Sequence, residues 1–263
     1  MNYRVFLSSM SLFGLPLKTI FRKARTSGFD GVEVFLFNPI ERRVKKARML
    51  AERYELMLHF HEVCSFEDAP SSYGRVFQLL GLSPNRNVGF ADRVPLSINE
   101  PVVVYADHYA EVSSRKQWLQ TCSLFREGWV CKTDFTDFIN AVRAHNLPIV
   151  LDTQHYLQYR LGIGLSIPAG DLFQLLRDGW RCLGKLTREI HLNDFDVYKG
   201  GTMGRNVFLG EGQAPLREFC REVRCSGWSG IIVPEVSFVH LFPYRKKCLR
   251  ELRKRVDELF CSP

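Results

Sequence analysis

Short apolar and β-branched runs recur along the chain: YRVFLSS, GVEVFLF, LMLHFHEV, VVVYADHY, WLQTCSL, PIVLDT, EIHLND and GIIVPEVS. Between most of them apolar residues return every three or four positions, the spacing of an amphipathic helix. Such helices are predicted in LKTIFRKARTSG after the first run and IERRVKKARMLAERY after the second. TDFTDFINAVRAHN, AGDLFQLLRDGW and PLREFCREVRCSG precede the sixth, seventh and eighth runs. The alternation predicts parallel βα units, because a crossover helix returns the chain to the same edge of a sheet. Eight strands predict an α/β fold closed into a (β/α)8 TIM barrel, a single domain over residues 1–263. Glycines stand where helices should close ahead of strands, in TSGFDGVEVF and CSGWSGIIVPE.

The predicted strands end on polar residues: Glu33, His61, Asp107, Gln120, Asp152, His191 and Glu235. In a parallel barrel these ends gather at one rim, where the following loops build the site. The middle of the chain is less regular. Little room for a crossover helix separates VVVYADHY from WLQTCSL, which predicts an abbreviated unit around the fourth strand, and residues 71–100 read as a long irregular stretch. Either a helix has been pared away or an extra excursion covers part of the rim.

Composition changes this picture little. The chain has 263 residues, 46% of them hydrophobic, enough for one sizeable core. No apolar run has the length of a membrane span, and the amino terminus lacks the pattern of an export signal, so the expected location is cytoplasmic. Eight cysteines without a C-x-x-C pair are expected as buried thiols. The formal charge of +8 raises the question of nucleic acid. The basic residues concentrate in ERRVKKARMLAERY and YRKKCLRELRKRVDELF, however, where they alternate with apolar positions as on a solvated helix face. No phosphate-gripping loop and no G-x-S-x-G elbow is present.

Asp152, His155, His191 and Glu235 stand out as mixed nitrogen and oxygen donors from three successive strand ends. They suit one divalent ion, Mn, Zn, Fe or Co, better than a sulfur-rich structural site. Singly each has an ordinary use: Asp152 as a loop cap, His191 as a hydrogen-bonded core imidazole, Glu235 as the partner of an arginine. Asp194 is expected either to orient a ligand or to cap a loop. Of His59 and His61, the expectation is that they face opposite sides, with His61 pointing inward. Tyr105, Trp118, Tyr156 and Tyr159 offer either a sugar-stacking wall or core packing.

SGFDGVEVF, LPIVLDTQHY, IHLND, FLGEG and GWSGIIVPEVS, in that order and spacing, resemble the xylose-isomerase-like barrels. That family includes sugar-phosphate isomerases and epimerases and endonuclease-IV-type enzymes. The resemblance implies metal ligation by Asp152, His191 and Glu235, and His155 as a ligand or substrate contact. It also implies that Gly210 to Gly212 shape the loop before the last crossover helix, and that Arg205 contacts substrate oxygens. Glu33 and His61 are further expected substrate contacts.

Two departures shape the expected activity. Where relatives commonly carry a glutamate at the end of the fifth strand, this chain has Gln120, which can donate an amide oxygen to a cation but cannot act as a base. Where endonuclease-IV-type sites supply an Asp and a His, the corresponding residues are Gly204 and Asn206, which argues against a polynuclear nuclease centre. The expectation is a divalent-metal-dependent isomerase, epimerase or related lyase acting on a small polyhydroxylated carbonyl compound, a sugar or sugar phosphate. In it Asp152, His191, Glu235 and Gln120 hold the ion, Glu235 is the base and His155 donates to substrate oxygen. The competing expectation is an inactive barrel that binds a small ligand or a protein partner, with nucleic-acid processing a third.

Overall fold

A computed structural model describes residues 2–37, 39–62, 98–105, 117–121, 135–161, 169–196, 205–236, 241 and 246–261. The strands, in chain order, are β1 (Arg4–Ser8), β2 (Gly31–Phe35), β3 (Met57–His61), β4 (Val102–Tyr105), β5 (Gln117–Gln120), β6 (Ile149–Asp152), β7 (Thr187–Leu192), β8 (Asp194–Asp196), β9 (Arg205–Val207) and β10 (Ile231–Pro234). The helices are α1 (Leu17–Thr26), α2 (Ile40–Tyr54), α3 (Phe135–His145), α4 (Thr153–Leu161), α5 (Ala169–Leu183), α6 (Leu216–Cys225) and α7 (Lys246–Cys261). Strands β1 to β7 and β10 close into a barrel in which every neighbouring pair is parallel, the last closing against the first. This is the predicted (β/α)8 barrel, and all eight quoted runs supply its strands. The predicted short unit after β4, the irregular stretch at 71–97 and Asp107 lie outside the described residues.

Strand alternation divides the barrel wall into two faces. Val32 and Val34 of β2, Phe60 of β3, and Ile190 and Leu192 of β7 point outward into one apolar core shared with the helices. On α1 that core receives Leu17, Ile20, Phe21 and Ala24, a helical stripe of buried positions. Each such large apolar side chain contributes about 1.5–3 kcal/mol when fully buried. Gly28 (φ 81°) and Gly227 (φ 71°) follow α1 and α6 in the left-handed conformation, as the two glycine signals predicted.

The interior positions are Phe6, Gly31, Glu33, Phe35, His59, His61, Trp118, Gln120, Asp152, Glu189 and His191, most of them fully buried. Gly31 faces Phe6 so closely that a Cβ there would lie 2.6 Å from the Phe6 ring. The Phe6 ring in turn packs 4.8 Å from the His59 ring, so an aromatic floor lies below the polar interior. The expectation that His59 and His61 face opposite sides fails, because residues two apart in a strand complete one period and share a face.

Two further elements depart from expectation. The stretch after Asp152 continues at once into α4, and Asp194–Asp196 pairs antiparallel with Arg205–Val207 beyond the end of β7. Among the described cysteines the predicted buried thiol holds for Cys220, while Cys182, Cys225 and Cys261 are exposed, and these four are free. Their place on a helix circumference decides this, not their apolar neighbours in sequence. On α2 the basic side chains Arg42, Lys45, Lys46 and Arg53 are exposed, as a solvated face requires. No helix among the described residues is long and apolar enough to cross a membrane.

Candidate metal centre

Asp152 ends β6 and begins α4, and its two carboxylate oxygens divide the work. Oδ1 accepts the His155 backbone N–H at 2.7 Å, the bond of a helix N-cap. Oδ2 turns into the barrel mouth, where it accepts from Gln120 Nε2 and from Asn193 Nδ2, each at 3.1 Å. The loop-cap reading of Asp152 and the ligand reading are therefore compatible. Thr121 and Thr153 fix the frame: the Thr121 hydroxyl accepts from the Asp152 N–H at 3.1 Å. The Thr153 hydroxyl accepts the Asn193 N–H at 2.9 Å and donates to the Asn193 carbonyl.

His191 stands at the centre, with no exposed surface. Its Nε2 donates toward Glu189 Oε1 at 2.8 Å and Glu33 Oε2 at 3.1 Å. Its Nδ1 faces the opposite way, 3.7 Å from both Asp152 Oδ2 and Glu235 Oε1 and 3.3 Å from the Gln120 amide nitrogen. With Nε2 committed to carboxylates, Nδ1 is on the mouth side and accepts from the Gln120 amide. A histidine ligand held by a carboxylate on its other nitrogen has this arrangement.

Glu235 follows β10, and its backbone N–H bonds to the Leu192 carbonyl at 3.1 Å, which ties the eighth strand end to the seventh. Its side chain is 17% exposed, while those of Asp152 and His191 have no exposed surface. Asn193 Nδ2 bridges it to Asp152, 3.3 Å from Glu235 Oε2. Ligand atoms of Asp152, His191 and Glu235 all lie within 4.8 Å of one another. Two carboxylates and an imidazole, whose Nδ1 is held by the Gln120 amide, are a donor set fitted to a borderline divalent cation.

The electrostatics point the same way. Three buried carboxylates, Glu33, Asp152 and Glu189, and the partly buried Glu235 surround one imidazole. Burial alone would lower His191, but the charges of Glu33 and Glu235, with hydrogen bonding to the Asp152 and Glu189 carboxylates, raise it well above the ordinary histidine value. Burial pushes Glu235 up to about 7 against the opposing pull of His191, with Asp152 and Glu33 adding to the rise. Burial lowers His61 to about 4 despite the nearby Glu33. The centre is short of positive charge, and a buried excess of this sign is relieved by a proton or a cation.

The remaining candidates divide. His61 is buried, stacks 4.2 Å from Phe35, and has Nε2 3.0 Å from Gln120 Oε1, so Gln120 spans His61 and Asp152. Glu33 lies on the inner side of His191, fully buried. His155 is 27% exposed on the first turn of α4, its Nε2 3.9 Å from Asp152 Oδ2. The Arg205 backbone pairs with Asp196, while its side chain, Gly204 and the side chains of Asn206, Tyr105 and Tyr159 lie outside the described residues. Tyr156 packs in the outer core, its ring against Gly179, as in the core-packing alternative, and Trp118 stands 5.9 Å from the His59 ring. Asp194 is a loop cap: its carboxylate accepts backbone N–H groups of Phe195, Gly210, Gly212 and Ala214.

Sequence reasoning missed Asn193, Glu189 and His59. The last two were visible by period, each standing two residues before a rim histidine on the same strand face.

A comparison with curated protein sequences finds no match. Among solved structures, the IOLI protein with a bound zinc atom shares 14% identity, with 98% of each chain covered and a TM-score of 0.62. A D-allulose 3-epimerase from Methylomonas sp. shares 13%, again over 98% of each chain, at 0.61. The probable 3-DHS dehydratase AsbF of Bacillus anthracis shares 15%, with 97% of this chain and 98% of that one covered, at 0.55. At these identities the likenesses establish the fold. Residues 122–258, just over half of the sequence, match the family described as xylose isomerase-like TIM barrel, and the chain belongs to that family.

Proposed function

We propose that the chain is a divalent-metal-dependent isomerase, epimerase or related lyase that acts on a small polyhydroxylated carbonyl compound. One observation carries this: Asp152, His191 and Glu235 converge at the mouth, with His191 Nδ1 3.7 Å from both carboxylates. The zinc-bearing neighbour and the epimerase neighbour support it by kinship of fold. When bound, the ion supplies Lewis acidity to adjacent substrate oxygens. The protein's part is to hold and move protons. Glu235, the most exposed member of the triad, accepts the proton from carbon. His155, at the edge of the mouth, donates to the neighbouring oxygen. Gln120 contributes its amide oxygen when the side chain releases Asp152, and His61 and Arg205 border the substrate.

The test combines metal content with turnover. Protein purified without chelators and loaded with Mn or Zn is expected to carry a rim ion that is lost in Asp152→Ala and His191→Ala. The loaded chain is expected to convert at least one member of a ketose, ketose-phosphate and dehydration-substrate panel, with Glu235→Gln reducing turnover by about a thousandfold or more. Full turnover in Glu235→Gln removes that residue as the base.

A second reading has its own observation. Gln120 donates to Asp152 Oδ2 and so occupies the oxygen that would ligate the ion, which favours a barrel that binds a ligand without turning it over. Metal binding with no conversion across the panel selects this reading.

A further inference from the structure

Below the rim triad the barrel holds a second polar group. Glu33 on β2, His59 on β3 and Glu189 on β7 point inward on the floor side of His191, with exposures of 0%, 1% and 0%. One oxygen of each glutamate is already engaged, Glu33 Oε2 and Glu189 Oε1 with His191 Nε2. The other two, Glu33 Oε1 and Glu189 Oε2, have no hydrogen-bond partner, and neither ring nitrogen of His59 has one. His59 Nδ1 approaches Glu189 Oε2 at 3.0 Å, and His59 Nε2 approaches Glu33 Oε2 at 3.7 Å, but neither contact is aligned as a hydrogen bond.

Four unsatisfied polar atoms in a dry interior are costly, since a buried group left without a partner loses its solvation uncompensated. They also share one place: ligand atoms of Glu33, His59 and Glu189 lie within 4.8 Å of one another. Around a tetrahedral ion with bonds of about 2.1 Å, ligand atoms stand roughly 3.4 Å apart, and the His59 Nδ1 to Glu189 Oε2 separation of 3.0 Å is close to that spacing. Two carboxylates and a neutral imidazole leave a divalent ion with no net charge to bury, and the set is chemically suited to Zn, Mn, Fe or Co. Phe6 and Trp118 wall the His59 side with aromatic rings, so no bulk water takes the place of the missing partners.

We propose that Glu33, His59 and Glu189 form a second divalent-cation site, buried in the barrel beneath the rim triad and distinct from it. Its role is positional: a cation there fixes the two carboxylates whose other oxygens orient His191. The site does not depend on the proposed activity, and it can be tested whether or not the chain turns over a substrate.

The experiment is zinc stoichiometry by elemental analysis after loading and desalting, on wild type, Asp152→Asn, Glu189→Gln and the double variant, with an anomalous difference map of wild type at the zinc edge. The expected result is two ions per chain in wild type, one in each single variant and none in the double. The expected map has one peak at the rim and one bonded to His59. A single ion in wild type that Asp152→Asn removes overturns the inner site while sparing the rim reading. Two ions retained in Glu189→Gln overturn it as well. If Glu189→Gln does not fold, the map decides: a peak about 2.1 Å from a His59 nitrogen supports the site, and an empty position beside His59 overturns it.

Discussion

The amide of Gln120 reaches from β5 to β6 and donates to Asp152 Oδ2 at 3.1 Å, in the place where a carboxylate would repel that oxygen. Gln120→Glu therefore has opposite effects with and without metal. In chelator the new buried charge is expected to cost about 2 to 4 kcal/mol. With the ion present the added charge is expected to tighten binding by about tenfold or more. Thermal unfolding in chelator and in Mn or Zn measures both. A lower melting temperature under both conditions contradicts the prediction.

Asp194 gathers four backbone N–H groups at the start of the segment that leads to α6. Asp194→Ala leaves them without an acceptor and is expected to destabilise the chain by about 2 to 4 kcal/mol. The loss should be local first, so hydrogen exchange is expected to accelerate at Gly210, Gly212 and Ala214 while the barrel strands stay protected. Gly212→Ala should copy much of this, because its Cβ would lie 2.1 Å from Asp194 Oδ1.

Arg48 on α2 meets Glu100, ahead of β4, through two hydrogen bonds of 2.7 Å. The Arg48 hydrogen bond lowers the Glu100 carboxyl below its ordinary 4.5. A depressed carboxylate stabilises above its unfolded value, and the contribution fades as pH falls through the folded one. Arg48→Met is thus expected to cost about 0.5 kcal/mol at pH 7, a figure already reduced for solvent screening at this half-exposed pair. The gap between the two proteins should close on acidification below pH 4.5. Urea unfolding at neutral and acid pH checks the sign; a gap that widens on acidification refutes it.

Gly31→Ala places a Cβ 2.6 Å from the Phe6 ring and 2.8 Å from the Met57 carbonyl. Overpacking of this kind is expected to cost about 1 to 3 kcal/mol. Phe6→Leu should recover part of it, so the two changes should be non-additive in a double-mutant cycle. Strict additivity would show that the Met57 backbone, not Phe6, is the obstacle.

Much of the barrel was legible because parallel βα units have a local signature, and because Asp152, His191 and Glu235 each close an apolar run. What was not legible depended on faces and turns. Glu189 and His59 sit inside apolar runs, and only the strand period reveals that they share the interior with His191 and His61. Asn193 serves the centre because the backbone after β7 turns its amide between Asp152 and Glu235, a geometry no spacing encodes. α4 was hidden because it starts without a connecting loop directly after Asp152, the same residue that caps it.

Phe6 closes the barrel under His59, and this gives traffic through the molecule a direction. His59 lies on the floor side of His191 with Phe6 packed against it, so a cation bound for the inner site is expected to enter from the rim, past Asp152 and Glu235. The order of exchange is last in, first out. A cation beside His59 can leave only after the one above it, which makes its exchange slow even where its affinity is ordinary.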